Sequence, residues 1–219
     1  NGVLRGIFSA TGQICHAGSR VFVQRPIYNK ILEKVVARAK TLKLGDPRLP
    51  ETEMGPIATA PQFERVKEML ARALADGAVA ACGGGADEKL GGYFIKPTVL
   101  TNLRPDDYIM REEVFGPVVC MMPFDTEEEG IALANDTRYG LASGLWTSDV
   151  RRAHRVAKRI RAGTVWINAY RGVAPSVPFG GFGASGIGRE SGLEAIRDYT
   201  EQKAIWVEMT GQTKDPFKL

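Results

Sequence analysis

Cys15 stands in the run Gly12-Gln13-Ile14-Cys15-His16-Ala17-Gly18-Ser19-Arg20, with the apolar stretch Val21-Phe22-Val23 directly after it. A thiol between two glycines, at the junction of two elements, has the placement a nucleophile needs. Gly12 and Gly18 allow the backbone to turn sharply and to approach a substrate closely. The backbone N–H of Cys15 itself can then serve as an oxyanion donor. The competing reading is that Cys15 is a small buried apolar residue, the usual fate of a free cysteine. This segment by itself leaves both readings open.

Two histidines, His16 and His154, offer a base for a cysteine hydrolase. His16 is the sequence neighbour of Cys15, and adjacent side chains are expected to point apart. His154 belongs to the basic run Arg151 to Arg161, whose apolar residues recur at helical spacing, so it reads as part of one solvated helix face. Cys15, Cys82 and Cys120 are far apart, odd in number and outside metal-ligand spacing, which predicts no metal site and a reducing, cytoplasmic setting. Gly181-Phe182-Gly183-Ala184-Ser185-Gly186 matches the dinucleotide pattern G-x-G-x-x-G. A working fingerprint follows a strand and opens a long helix. Here Pro175 and Pro178 intervene, and glycines continue to Gly188 and Gly192. The segment instead reads as an ordered loop whose backbone passes close to a ligand, a catalytic residue or another subunit.

The elements that must carry these residues alternate. Arg20 to Gln24 reads as a strand and Ile27 to Leu44 as a helix, with Ile31, Leu32, Val35, Val36, Ala39 and Leu42 on one face. Thr59-Ala60-Pro61 opens a second helix, which Gly77 stops. Val79 to Cys82 and Tyr93 to Leu100 read as strands, and Val118 to Phe124 as a continuously apolar, doubly buried strand. Thr126-x-x-Glu129 is a capping box. Ser143 to Thr147, the basic helix and Thr164 to Ile167 form a β-α-β unit. A Gly/Pro-rich stretch, a short helix near Leu193 to Tyr199, a last strand from Lys203 to Glu208 and a tail from Gly211 complete the chain. This alternation predicts an α/β fold with a mostly parallel sheet flanked by helices.

The 219 residues suffice for one large domain, and a composition of 44% hydrophobic and 25% charged residues argues for a packed core rather than disorder. A net charge of +4, without a basic stripe carrying interleaved aromatics, argues against a nucleic-acid partner. No apolar run is long enough to span a membrane, so no membrane partner is expected.

Four segments, taken together and in order, resemble the aldehyde dehydrogenase superfamily almost end to end. They are Gly12 to Cys15 with Ala17 to Arg20; Glu112-Glu113-Val114-Phe115-Gly116-Pro117-Val118; Tyr139-Gly140-Leu141 with Gly163 to Asn168; and Pro178-Phe179-Gly180-Gly181 with Ser185 to Glu190. The resemblance implies NAD- or NADP-dependent oxidation of a small-molecule aldehyde to a carboxylic acid. Cys15 would attack the carbonyl as a thiolate to give a thiohemiacetal, then a thioester that is hydrolysed. Glu113 would hydrogen-bond the nicotinamide ribose, and Phe115 and Leu141 would lie beside the nicotinamide ring. Phe179 and Val173 would line the substrate tunnel, and Glu190 would act as a second carboxylate relaying protons near Cys15.

The resemblance also implies a homo-oligomer, with Arg189 and Glu201 pairing at or near the subunit interface. It assigns residues 1–198 to the catalytic domain and 199–219 to an oligomerisation strand and tail. The family's general base, oxyanion asparagine, cofactor lysine and cofactor-binding domain lie upstream of its cysteine. Only fourteen residues precede Cys15, and the first is Asn1 rather than methionine. The expectation is therefore a C-terminal half without that domain, inactive alone. A non-catalytic assembly module and a cysteine-dependent esterase are the alternatives.

Overall fold

A computed structural model describes residues 1–212 and 215–217. Parts of the expected tail, Thr213, Lys214, Lys218 and Leu219, lie outside the described residues. The architecture is α/β. A four-stranded sheet has the order β1-β4-β3-β2, built from β1 (Arg20–Gln24), β2 (Val79–Cys82), β3 (Thr98–Thr101) and β4 (Val118–Phe124). β4 runs parallel to both β1 and β3, and β2 joins the edge antiparallel to β3.

The apolar run of β4 is explained by the layers on either side of it. Val118, Cys120 and Met122 face one core with Leu100, Val66, Met69 and Leu70. Val119 and Met121 face the other, with Val99, Val35, Ala39 and Ile7. Side chains alternate across a strand, so a strand covered on both faces must be apolar at every position.

The covering helices are α2 (Arg25–Lys40), supported by α1 (Gly2–Ile7), and α3 (Ala60–Ala75). Thr59 caps α3, its side chain accepting the Gln62 N–H, and Pro61 sits in the first turn, where its missing N–H costs nothing. Phe63, Val66, Met69, Leu70 and Ala73 form the buried face of α3. A short α4 (Tyr108–Arg111) leads into β4.

α5 (Glu127–Asn135) follows β4, and its capping box differs in detail from expectation. Thr126 Oγ1 accepts the Glu129 N–H at 3.2 Å, whereas the Glu129 carboxylate reaches back to the Asp125 N–H, one residue earlier than Thr126. A second, two-stranded parallel sheet holds β5 (Ala142–Leu145) and β6 (Thr164–Ile167) on either side of α6 (Val150–Arg159) in sequence.

Three expectations are corrected. The predicted strand Tyr93 to Leu100 shrinks to Thr98–Thr101, leaving Ile95 in a lone bridge to Ala86, because only the later residues lie beside β4. α2 ends at Lys40 rather than Leu44, since the chain leaves helical geometry at Thr41. The strand expected from Lys203 to Glu208 has no ladder partner among the described residues, and the segment is exposed. A strand exists only as one side of a hydrogen-bonded pair.

The basic run is not simply solvated either. Arg152 and Arg155 of α6 bind the Glu127 carboxylate of α5, and Arg159 binds Glu128. Hydrogen bonding to Arg155 is the main cause that lowers the Glu127 carboxyl from 4.5 to about 2. A carboxylate lowered on folding contributes stability above its unfolded value, and that contribution is lost as pH falls through the folded one. The α5–α6 contact should therefore weaken between pH 4.5 and pH about 2. Thermal unfolding followed across that window should show a smaller acid-induced loss for Glu127→Gln than for the unmodified chain.

Candidate functional site

The turn that carries Cys15 is shaped from before it. Ala10, Thr11 and Gly12 all have left-handed backbone, with φ of 54°, 59° and 70°. Such conformations are costly for non-glycine residues and persist only when their surroundings enforce them. Here Thr11 Oγ1 donates to the Gly55 carbonyl at 3.2 Å. The Gln13 amide donates to the Pro56 carbonyl and accepts the Ala58 N–H at 2.8 Å. These bonds tie the segment to a stretch of chain more than forty residues away. Gly12 lies so close to the Gly116 carbonyl that a Cβ would overlap it.

Cys15 itself is exposed, in a turn that the Ala17 N–H closes onto the Ile14 carbonyl at 2.9 Å. The buried-filler reading of Cys15 is therefore set aside. Cys82 and Cys120 are the buried thiols, and complete burial pushes Cys120 up to about 12.

A cleft of about 1260 Å³ opens beside the thiol. Cys15, His16, Glu113, Phe115 and Leu141 all line it. They come from three separate stretches of chain: the turn before β1, the loop before β4 and the entry to β5. Phe115 has φ 54° and a partly exposed ring, and the Glu113 side chain is exposed while its carbonyl accepts from Arg65 at 2.8 Å. Its neighbour Glu112 is committed to Arg138 at 2.8 Å.

The remaining sequence candidates sit around this cleft rather than in its lining. Phe179 and Glu190 exchange two backbone hydrogen bonds of 2.7 Å, and the Phe179 ring meets the His16 ring edge-on at 5.9 Å. Val173 is exposed on the loop before them. Arg189 donates to the Gly181 and Gly188 carbonyls and stacks over Phe182 at 4.8 Å. Within this chain it is therefore directed into the glycine loop, while Glu201 is exposed on the unpaired C-terminal segment.

That glycine loop opens no long helix. It holds a single short turn, Gly183–Ser185, and packs on the entry to β5: Phe182 N–H donates to Gly140, Ala184 N–H to Arg138, and the Ser185 hydroxyl accepts the Gly140 N–H. Gly163 faces the Gly180 carbonyl with no space for a Cβ. The loop's close approach is to the backbone that presents Leu141.

Sequence reasoning missed one cluster and misjudged one residue. Trp146, Trp166 and Tyr170 stack behind the turn, with Trp166 and Tyr170 centroids 4.8 Å apart. Burial pushes the Tyr170 hydroxyl up to about 12. The aromatic residues of Leu145 to Tyr170 could have flagged this cluster, but spacing alone does not tell a core from a site wall. His16 was expected to point away from Cys15. Its Nδ1 instead lies 3.8 Å from the Cys15 Sγ, because residues 14–17 form a turn rather than an extended run.

Two outcomes follow from this geometry. Iodoacetamide should modify Cys15 and spare Cys82 and Cys120 in the folded chain, as read by peptide mass mapping, and Cys15→Ser should abolish labelling. Gly12→Ala should lower stability by about 3 kcal/mol in denaturant unfolding, from strain at positive φ and overlap with Gly116.

The family model described as the aldehyde dehydrogenase family matches residues 1–205. Betaine aldehyde dehydrogenase of Mesorhizobium japonicum is 47% identical over 219 residues, and that of Brucella anthropi is 44% identical; each alignment covers 99% of this chain and 45% of the relative. The chain thus spans about half the length of the curated relatives it matches. Among solved structures, the NAD+ complex of aldehyde dehydrogenase from Bacillus cereus has a TM-score of 0.92 and 47% identity, over 95% of this chain and 42% of that one. A betaine aldehyde dehydrogenase point mutant from Staphylococcus aureus, in complex with NAD+, has a TM-score of 0.95 and 40% identity, over 99% of this chain and 45% of that one. With its layered sheet, its exposed thiol and these matches in agreement, the chain belongs to the aldehyde dehydrogenase family.

Proposed function

We propose that these residues form the thiol-bearing half of an enzyme that oxidises an aldehyde to a carboxylic acid with NAD or NADP. The observation that carries the proposal is the shared cleft. An exposed thiol at Cys15, an exposed carboxylate at Glu113, a partly exposed ring at Phe115 and the aliphatic wall of Leu141 open onto one space. That set fits the nicotinamide-ribose end of the cofactor. A free carboxylate can accept from ribose hydroxyls, and an aromatic and an aliphatic face can flank a planar ring. When bound, the nicotinamide cofactor supplies the acceptor for the two electrons lost by the substrate carbon.

The chain's own groups do the rest. Cys15 Sγ attacks the carbonyl carbon and carries the acyl group as a thioester until water releases it. The Cys15 N–H supports the oxyanion. Phe179 and Val173 border the aldehyde's path, and Glu190 relays protons. The neighbours' names speak of betaine aldehyde for those proteins; for this chain the class proposed is a small apolar or cationic aldehyde, which suits aromatic walls. A reducing, cytoplasmic setting keeps Cys15 a thiol.

A second reading concerns assembly. Leu193, Ile196, Tyr199, Ile205, Trp206 and Val207 are all strongly exposed, a density of apolar surface that association would cover. We take residues 199–219 as the oligomerisation strand and tail, with Glu201 pairing to a basic residue such as Arg189 in the assembled protein. No helix among the described residues is long and apolar enough to cross a membrane.

The natural polypeptide carrying this sequence should form NADH or NADPH from aldehyde and oxidised cofactor, and Cys15→Ser should reduce turnover by about a thousandfold or more. Glu113→Gln should raise KM for the cofactor by about tenfold, with a smaller change in kcat. The 219 residues alone should give no NADH with several aldehydes. Light scattering should find the polypeptide oligomeric, and Trp206→Glu should shift it toward monomer. Undiminished turnover by Cys15→Ser would overturn the enzymatic proposal.

A further inference from the structure

The pairing of Cys15 with His16 is a property of this chain's own turn. The turn at 14–17 swings both side chains to one side and leaves Sγ and Nδ1 3.8 Å apart. That is long for a strong hydrogen bond and short enough for a side-chain rotation to make one; such bonds often tighten only when substrate is present.

The His16 ring is held rather than free. It meets Trp166 edge-on at 5.8 Å and Phe179 edge-on at 5.9 Å. Trp166 is itself fixed by its Nε1 donating to the Gly172 carbonyl at 2.8 Å, and Phe179 by its two backbone bonds to Glu190. The imidazole therefore reaches the thiol from a pre-built aromatic frame.

The charges around it have one consistent effect. From the segment after β6, Arg171 faces the ring, and Tyr170 stays a neutral phenol. From the following segment, Glu190 is exposed and engages Phe179 through backbone alone. On its own turn the titratable neighbour is Cys15. Burial first, and Arg171 second, lower the His16 imidazole below its ordinary value of 6.5. At neutral pH the ring is thus unprotonated, with a lone pair available to the thiol when the ring proton is on Nε2.

We propose that His16 is the proton acceptor for the Cys15 thiol, so that the nucleophile is activated from within its own turn. The S–H bond breaks, its electron pair stays on sulfur, and the proton forms an N–H bond at Nδ1. The thiolate then attacks the electrophilic carbon, and the imidazolium returns its proton to water or to the next base in the site. The transfer turns a neutral pair into an ion pair; the exposure of Cys15 lets water solvate the thiolate beside the imidazolium. The inference rests on the reading of Cys15 as the nucleophile.

The test is the pH dependence of Cys15 alkylation by iodoacetamide, with sulfur displacing iodide, measured by mass mapping on the folded chain. His16→Phe keeps a ring against Trp166 and Phe179 but removes the acceptor. His16→Gln keeps a hydrogen-bonding group that does not titrate. At pH 6.5 the unmodified chain should react about tenfold faster than either variant, with the profiles converging above the ordinary thiol range. The His16 Cε1–H resonance should titrate below 6.5, and its midpoint should move in Cys15→Ser. Superimposable alkylation profiles, or a His16 titration indifferent to Cys15→Ser, overturn this inference alone. Failure of Cys15 to react at any pH overturns both the inference and its role as nucleophile.

Discussion

Gly12 and the Gly116 carbonyl are packed so closely that no side chain fits between them. Gly12 belongs to the turn before β1 and Gly116 to the loop before β4. These strands are parallel neighbours, with Arg20 opposite Cys120 and the Cys120 N–H donating to the Ser19 carbonyl at 2.8 Å. Parallel pairing brings the two entry loops to the same end of the sheet, and the bare backbone of glycine lets them touch. Two segments about a hundred residues apart thereby become one wall of one cleft, with Cys15 on one side and Glu113 and Phe115 on the other. Gly116 is also pressed from behind by Val66 of α3, so the helix that builds the core fixes the height of the loop.

The third stretch that lines the cleft, the entry to β5, is positioned by electrostatics and hydrogen bonding more than by apolar packing. Arg20, half-buried, donates to the carbonyls of Leu133, Ala134 and Asp136 at the end of α5. Those are carbonyls that a helix end leaves without intrahelical partners, and a cation there also meets the negative end of the helix dipole. Arg111, the last residue of α4, binds the same Asp136. α5 is thus locked to the sheet at one end, while its acidic first turn holds the arginines of α6 at the other. The unit of β5, α6 and β6 follows, bringing Leu141 to the cleft and Trp166 behind His16. Charge pairs that look like surface decoration in sequence act here as the joint between two sheets.

The aromatic layer behind Cys15 links position to reactivity. Trp146, Trp166 and Tyr170 fill the space between the small sheet and the turn, and Phe179 closes the other side of His16. Rigid rings hold the imidazole at low entropic cost, and the Trp166 indole N–H is itself satisfied by the Gly172 carbonyl. They also dry it, which is the leading reason it stays neutral.

Local pattern was enough to read the strands Arg20–Gln24, Val79–Cys82, Val118–Phe124 and Thr164–Ile167 and the start of α3 at its Thr59 cap. Burial of a strand on one face or two is written into its alternation, and a cap acts within one turn. The same local chemistry marked Cys15 as a candidate, whereas Glu113, Phe115 and Leu141 entered only through the resemblance of four separated segments to the aldehyde dehydrogenase superfamily. Tertiary structure alone decided what these residues do together. Extended runs such as Lys203 to Glu208 become strands only where a partner offers a ladder, and none is present for it among the described residues. Whether Cys15 is buried filler or an open thiol depends on which sheet end its turn occupies. Whether His16 faces it depends on the turn that the Ala17 N–H closes onto Ile14, just after a left-handed run that Gly55, Pro56 and Ala58 tie down. Composition and periodicity encode what each segment prefers by itself; the meeting of distant segments is set by strand order and close packing, which no local window contains.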